Sequence, residues 1–289
     1  MLYADLQLHV EVDTGMGRGG IAPGSVVDVM RLTDDTPRTR ITGIWSHLAS
    51  GLDLSLSQEQ VLRLEVAEAA VTTSGRPRPM MHIAASDVVL ARTAPAYEMV
   101  RVGLTFCGEL GLDAHPAPDV ADEAAQLRPA MTLKAKPVRL ELIAPGATVG
   151  YGGEWKAERP SRIATLPVVY ADGWARASLP AAMALVRGRR VPLVGRVSMD
   201  AVCADVTDVD VVAMDDEFVL LGQQGAERIT ANELARIRAS IPNEVLSTIG
   251  PRLPRIYRDQ NTIVAMSIQA DYVDHAGSAP WGSQVTAKS

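Results

Sequence analysis

Apolar and polar positions alternate with a period of two over Leu6-Gln7-Leu8-His9-Val10-Glu11-Val12. This predicts a strand that runs into a glycine-rich loop. Residues 22–32 read as a helix with Pro23 in its first turn. A second strand is expected over 41–49, ending on His47, and residues 57–72 set Val61, Leu62, Leu64, Val66 and Ala69 on one helical side. Short apolar strands at 80–85 and 100–106 flank a helical turn at 87–92. Such strand–helix–strand alternation implies a parallel sheet with crossovers, either open or closed into a barrel.

The pattern changes after Gly111. Residues 113–128 are rich in Ala, Pro and Asp and carry no strand signal, so they read as a linker. Beyond them, strand-like runs fall at 131–142, 163–169, 184–187, 191–197, 201–206 and 217–221, punctuated by Pro145-Gly146, Gly152-Gly153 and Gly222. Thr230 with Glu233 forms a capping box for a short helix, and Pro242 opens another near 243–249. From residue 259 onward no core pattern is visible. The predicted fold class is therefore α/β plus β. An α/β part spans 1–112, the linker 113–128, a β-rich domain 129–257 and a loosely attached tail 258–289.

Composition narrows the function classes. With 47% hydrophobic and 21% charged residues over 289, the chain has the make-up of a folded protein. A net charge of -6 argues against a general partner role for nucleic acid or anionic membrane. No apolar run reaches a membrane-spanning length, no leader precedes the first motif, and the two cysteines, Cys107 and Cys203, make no disulfide framework; a cytoplasmic location is expected. Of 28 basic residues only Lys134, Lys136, Lys156 and Lys288 are lysine.

Candidate chemistry gathers at strand ends. In Val12-Asp13-Thr14-Gly15-Met16-Gly17-Arg18-Gly19-Gly20, closely spaced glycines would let backbone amides approach an anion, and Arg18 adds a guanidinium suited to a carboxylate or phosphate. His47, Ser86, and Arg101 with Gly103 follow the next three apolar runs. Taken singly, His47 could be a satisfied interior histidine, Ser86 a helix N-cap and Arg101 a surface ion-pair partner. Their repetition at strand ends favours one shared site, as in parallel β/α barrels. Tyr151 and Tyr170 each sit beside glycines; for Tyr170 a structural turn tyrosine is an equal alternative.

The motifs taken together resemble the alanine racemase family. Those that carry the resemblance are Asp13-Thr14-Gly15-Met16-Gly17-Arg18, Ser46-His47, His82-Ile83-Ala84-Ala85-Ser86, Met99-Val100-Arg101-Val102-Gly103, Gly150-Tyr151-Gly152, Tyr170-Ala171-Asp172-Gly173, Gly195-Arg196-Val197-Ser198-Met199-Asp200 and Glu244-Val245-Leu246. The resemblance implies pyridoxal phosphate as cofactor and interconversion of L- and D-alanine, supplying D-amino acids for the cell wall. It implies the second half of a TIM-type β/α barrel followed by the β-rich domain. Tyr151, donated by a partner subunit of a homodimer, would be one acid/base, with His47 setting its proton affinity and lying against the cofactor ring. Arg101 would face the pyridine nitrogen; Ser86 and the amides of Gly103 and Leu104 would hold the phosphate. Arg18 and the Met199 backbone would bind the carboxylate of a small amino-acid substrate, with Tyr170 and Arg196 at its entrance.

The chain also departs from that pattern. The lysine that carries the cofactor, expected in a Val-Lys-Ala-Asn-Ala-Tyr-Gly type motif after the first barrel strand, has no counterpart. The expectation is thus an amino-terminally shortened member with about four of eight barrel strands, inactive alone. The alternatives are a non-catalytic paralogue, or one half of a split enzyme, that pairs with a lysine-bearing racemase chain. Glu11 stands where many members have a carbamylated lysine, and is either an anion that orients Arg18 or an exposed strand glutamate. Ala85 replaces a usual asparagine. Asn243 replaces a tyrosine, which predicts acceptance of a polar substrate such as serine.

Overall fold

The structure, a computed structural model, describes residues 5–260 and 262–267. The chain divides into two compact units, 1–130 and 131–289.

The first unit is built on three parallel strands in the order β1 (Leu6–Glu11), β2 (Thr39–Trp45) and β3 (Met80–His82). Parallel neighbours require crossovers, which α1 (Val26–Asp34) and α2 (Leu54–Thr73) provide. Helix α2 begins three residues before the predicted start, because the Asp53 carboxylate accepts from Leu56 N at 3.1 Å. Val26, Met30, Ile44, Leu64, Val71 and Ile83 fill the core between helices and sheet. A short helix α3 (Ser86–Ala91) follows β3.

Two expectations are corrected here. The stretch 100–106 is not a fourth strand: only Arg101 pairs, in a single parallel bridge with Ala85, before a 3-10 turn at Thr105–Cys107. Its backbone donors go elsewhere, since the Gly103 and Thr105 N–H groups both donate to Ser86 Oγ, at 3.0 and 3.3 Å. Nor is 113–128 a free linker. It belongs to the first unit, forms helix α4 (Ala121–Ala125), and is tied back by an Arg92–Asp119 ion pair at 3.0 Å.

The second unit is antiparallel. Strands β4 (Leu133–Ala135), β5 (Arg139–Ile143), β6 (Thr148–Val149), β7 (Trp155–Lys156), β8 (Ser161–Leu166), β9 (Met183–Val186), β10 (Arg189–Val194), β11 (Val202–Asp205), β12 (Phe218–Gln224) and β13 (Glu227–Ile229) follow in sequence. The main sheet has the order β13-β12-β9-β10-β11-β8-β5, with β4 added to β12; β6 and β7 pair separately. Inward residues such as Leu166, Leu185, Leu193 and Phe218 are fully buried. The Thr230 half of the capping box forms: Thr230 Oγ1 accepts from Glu233 N at 3.0 Å at the start of α5 (Ala231–Arg238), while the Glu233 carboxylate pairs with Arg190. Pro242 opens α6 (Pro242–Ser247).

The tail differs from expectation over its first residues. Strands β14 (Arg255–Asp259) and β15 (Thr262–Ser267) form an antiparallel hairpin. Residues 268–289, with Lys288, lie outside the described residues.

Candidate active site

In the first unit the functional side chains stand at the carboxyl ends of the strands. Arg101 is the centre. Its NH1 lies 2.7 Å from His82 Nδ1, and its NH2 lies 3.0 Å from His47 Nδ1 and donates to Ser46 O at 2.8 Å. Trp45 lies under the guanidinium at 4.6 Å and stacks on His82 at 5.9 Å. His82 Nε2 meets His9 Nδ1 at 2.8 Å, so one chain of contacts runs His9–His82–Arg101–His47.

The guanidinium carries donors and no acceptor. Both imidazoles must therefore offer Arg101 a lone pair at Nδ1, which fixes them as neutral rings protonated at Nε2. His82 Nε2–H then donates to His9. Burial first, then the Arg101 charge and His9, push the His82 pKa down to about 4. His47 is lowered too, by burial, then by Arg101 and Arg18, against Glu11.

Loop 13–20 differs from the prediction in one respect. Its amides do not face outward to an external anion: Asp13 Oδ1 accepts from Gly15, Met16 and Gly17 N at 2.9, 3.0 and 3.1 Å. These bonds, that from Gly17 foremost, hold the Asp13 carboxyl below its ordinary range. The loop thus folds around its own carboxylate and leaves Arg18 projecting, with Glu11 Oε1 at 3.8 Å. Gln60, buried on α2, fastens it to the end of β2. Its amide donates to Thr14 Oγ1 at 3.2 Å and His47 O at 3.1 Å, and accepts from Ala49 N at 2.8 Å.

Ser86 opens α3 and is buried. Its hydroxyl accepts the Gly103 and Thr105 amides, so its own proton remains to be donated. A Cβ at Gly103 would meet nothing within 4 Å, so the backbone there is open to a bulky group. Leu104 is buried beside it.

The second unit carries the remaining candidates. Tyr151 follows Gly150 and is 68% exposed. Two left-handed glycines set it against Arg196: a Cβ on Gly150 would approach Arg196 N to 2.8 Å, and one on Gly195 would approach Val149 O to 2.5 Å. Arg196 pairs with Glu154. Met199 is exposed in a turn fixed by the Ser198 hydroxyl, which accepts from Asp200 N and Ala201 N at 3.2 and 2.8 Å. Tyr170 stands half-exposed on a 3-10 turn, and Asn243 is exposed in the first turn of α6.

The structure therefore brings His47, Arg101 and Ser86 with Gly103 and Leu104 into one region, with Arg18 and Glu11 near His47. In the second unit it brings Gly150 and Gly152, which flank Tyr151, close to Arg196. Sequence reasoning missed His9 and Gln60 and gave His82 no role. Gly43 is the one trace of His9: a Cβ there would lie 2.8 Å from the imidazole.

The first unit is thus a parallel α/β body with an arginine and imidazoles gathered beyond its strands, and the second is an antiparallel β body. Comparisons make the assignment specific. The family description "Alanine racemase, N-terminal domain" matches residues 2–110, and "Alanine racemase, C-terminal domain" matches 130–257. The alanine racemase of Syntrophobacter fumaroxidans is 38% identical over 252 residues, covering 86% of this chain and 65% of that protein. The alanine racemase of Bacillus anthracis, solved with bound L-Ala-P, superposes with a TM-score of 0.80 at 27% identity, covering 90% of this chain and 66% of that one. For the biosynthetic alanine racemase of Pseudomonas aeruginosa the TM-score is 0.70 at 30% identity, covering 88% and 68%. The chain belongs to the alanine racemase family, whose members are pyridoxal-phosphate-dependent isomerases. It spans about two thirds of the length of the curated relatives it matches (65% of the Syntrophobacter protein). No helix among the described residues is long and apolar enough to cross a membrane.

Proposed function

We propose that the chain is part of a cytoplasmic amino-acid racemase acting on alanine, and on serine through Asn243, in a site completed by a lysine from another polypeptide segment. The observation that carries this reading is the Arg101 guanidinium fixed between His47 and His82 beside the Ser86 cradle. The α/β unit is then about half of an eight-stranded β/α barrel.

Pyridoxal phosphate fits these residues in part. Ser86, with a proton to give, and the open space beside Gly103 and Leu104 suit a phosphate. Arg101 suits an unprotonated pyridine nitrogen, because it cannot readily release a proton to it. When bound, the cofactor supplies an electron sink for charge at the amino acid's Cα. Covalent attachment does not fit: no lysine lies in the first unit. Arg18, held by Glu11, is suited to the substrate carboxylate. The exposed Tyr151 phenol, donated by the second unit of a partner subunit, would hold or deliver a proton at Cα. Met199, Tyr170 and Arg196 line the way in.

The test takes the purified chain with pyridoxal phosphate and then borohydride. The expected result is reversible binding, no pyridoxyl group fixed on any lysine, and no racemisation. Addition of a segment carrying the lysine motif of a relative should restore turnover of D-alanine and D-serine. In that complemented enzyme Asn243→Tyr should favour alanine over serine, and Glu11→Gln should raise KM more than it lowers kcat. A pyridoxyl-lysine in the chain alone, or no turnover after complementation, rejects the proposal.

A further inference from the structure

The main sheet of the second unit ends differently on its two sides. At one end β13 is shielded: Arg190, reaching over from β10, pairs with Glu227 at 2.9 Å and donates to Arg228 O. At the other end β5 is bare. Among the described residues its outer edge meets no strand, and Arg139–Ile143 holds no proline or bulge to blunt it. Its one base and one acid, Arg139 and Glu141, pair with each other. An edge left in this state is a template for another strand.

The neighbouring strand shows which backbone groups face outward. Arg162 of β8 turns away from β5: its N–H donates to Thr207 Oγ1 and its C=O accepts from Val206 N, both at 2.9 Å. Residues alternate along an antiparallel ladder, so Ser161, Ile163 and Thr165 bond β5, through their partners Ile143, Glu141 and Arg139. The N–H and C=O of Leu140 and Leu142 therefore point outward. Leu140 stands opposite the fully buried Ala164, so the side chains at 138, 140 and 142 share the core-facing side of β8. Yet Val138 is 60% exposed and Leu142 72%. The core face of the sheet thus runs out to an uncovered apolar rim.

We infer that β5 pairs with the β5 of a second copy of this chain, antiparallel, with the two-fold axis at Leu140. In that register the outward Leu140 N–H and C=O groups of the two copies bond each other. Leu142 comes opposite Val138, and Arg139 comes opposite Glu141, each twice by symmetry. An axis at Arg139 or at Glu141 would instead set like charges against each other, which disfavours pairing. The order Val-Arg-Leu-Glu-Leu over 138–142 is complementary to its own reverse, and so selects an identical partner. The contact joins two second units. It stands without the racemase reading and apart from any donation of Tyr151 to a first unit.

Analytical ultracentrifugation of the purified full chain tests it. The wild type should self-associate. Arg139→Glu and Glu141→Arg, each opposing like charges twice, should each weaken that association about tenfold. Leu142→Lys, at an exposed edge position, should weaken it too. An equimolar mixture of the Arg139→Glu and Glu141→Arg chains should recover wild-type association, because each meets its opposite across the axis; recovery also shows that both variants fold. The inference is overturned if the wild type stays monomeric, if either reversal leaves association unchanged, or if the mixture fails to recover it. An edge covered by residues 268–289 or by a different protein, or a dimer made only through Tyr151, would leave association indifferent to the reversals. Cofactor binding and turnover are measured separately, so their failure would leave these masses unchanged.

Discussion

A proton added to His82 at Nδ1 would set an N–H against the Arg101 N–H groups at 2.7 Å, in a site that burial has already dried. The folded ring therefore resists protonation to about 4, whereas an unfolded chain takes the proton near the ordinary 6.5. Between those values the unfolded state binds more protons, so stability must fall as pH falls from about 6.5 towards 4. His47, also lowered, adds in the same direction. The ring protons of His82, followed by NMR, should titrate near 4, and Arg101→Gln should move that titration upward. A His82 that titrates near 6.5 in the wild-type chain would refute the assigned tautomer. Little of this network was legible beforehand. Arg101 and His47 announced themselves as polar residues closing apolar runs. His9, by contrast, reads as one more polar position in an alternating strand, and no spacing links it to a histidine 73 residues away.

Local rules placed most elements because local energetics decide them. The Thr230 cap, the Pro242 start and the strand β1 each persisted into the fold, although burial along β1 does not alternate. The stretch 100–106 misled because a side chain, Ser86, captured the donors that a strand would have spent on a neighbour. The loops around Tyr151 lie between these cases: the glycines were visible, their close approach was not. That approach gives a test with opposite signs. Gly195→Ala would force a side chain into a φ of +70° and against Val149 O at 2.5 Å. It should cost about 2 kcal/mol or more and displace Tyr151. Ala239 is the converse, a C-terminal cap of α5 held at φ 50° without being glycine. The left-handed conformation costs alanine roughly 1–2 kcal/mol, and glycine's freer unfolded chain returns about 0.4–1 kcal/mol of that. Ala239→Gly should therefore stabilise by about 0.5–1 kcal/mol. Thermal melts of both variants check the pair, and a destabilised Ala239→Gly would show that the cap carries no strain.

The two units differ in how well they are supported. The first has a three-stranded sheet with the outer edges of β1 and β3 left without a partner strand among the described residues, and helix α2 buries Leu64, Ala67 and Val71 while leaving Leu62 and Val66 more than 60% exposed. Leu62 and Val66 are thus exposed apolar positions on a side that also carries Glu59, Arg63 and Glu65. The second has an eight-stranded sheet, and it holds Trp174, Phe218, Leu166, Leu185, Leu193, Leu220, Leu221 and Ile229 fully buried, against Ile44, Leu64, Met81 and Ile83 in the first. Buried apolar area is the main favourable term in folding, so the first unit should open at lower free energy than the second. The chain alone is thus expected to unfold in two steps, departing from the all-or-none behaviour of a single domain. Hydrogen exchange should show β1–β3 losing protection before β8–β12, and Trp45 fluorescence should change at a lower temperature than that of Trp174. A lysine-bearing segment that completes the sheet should raise the first transition and leave the second where it is, because it binds only the folded first unit. A single transition shared by both tryptophans, unmoved by that segment, would mean that the apolar flank of α2 needs no cover.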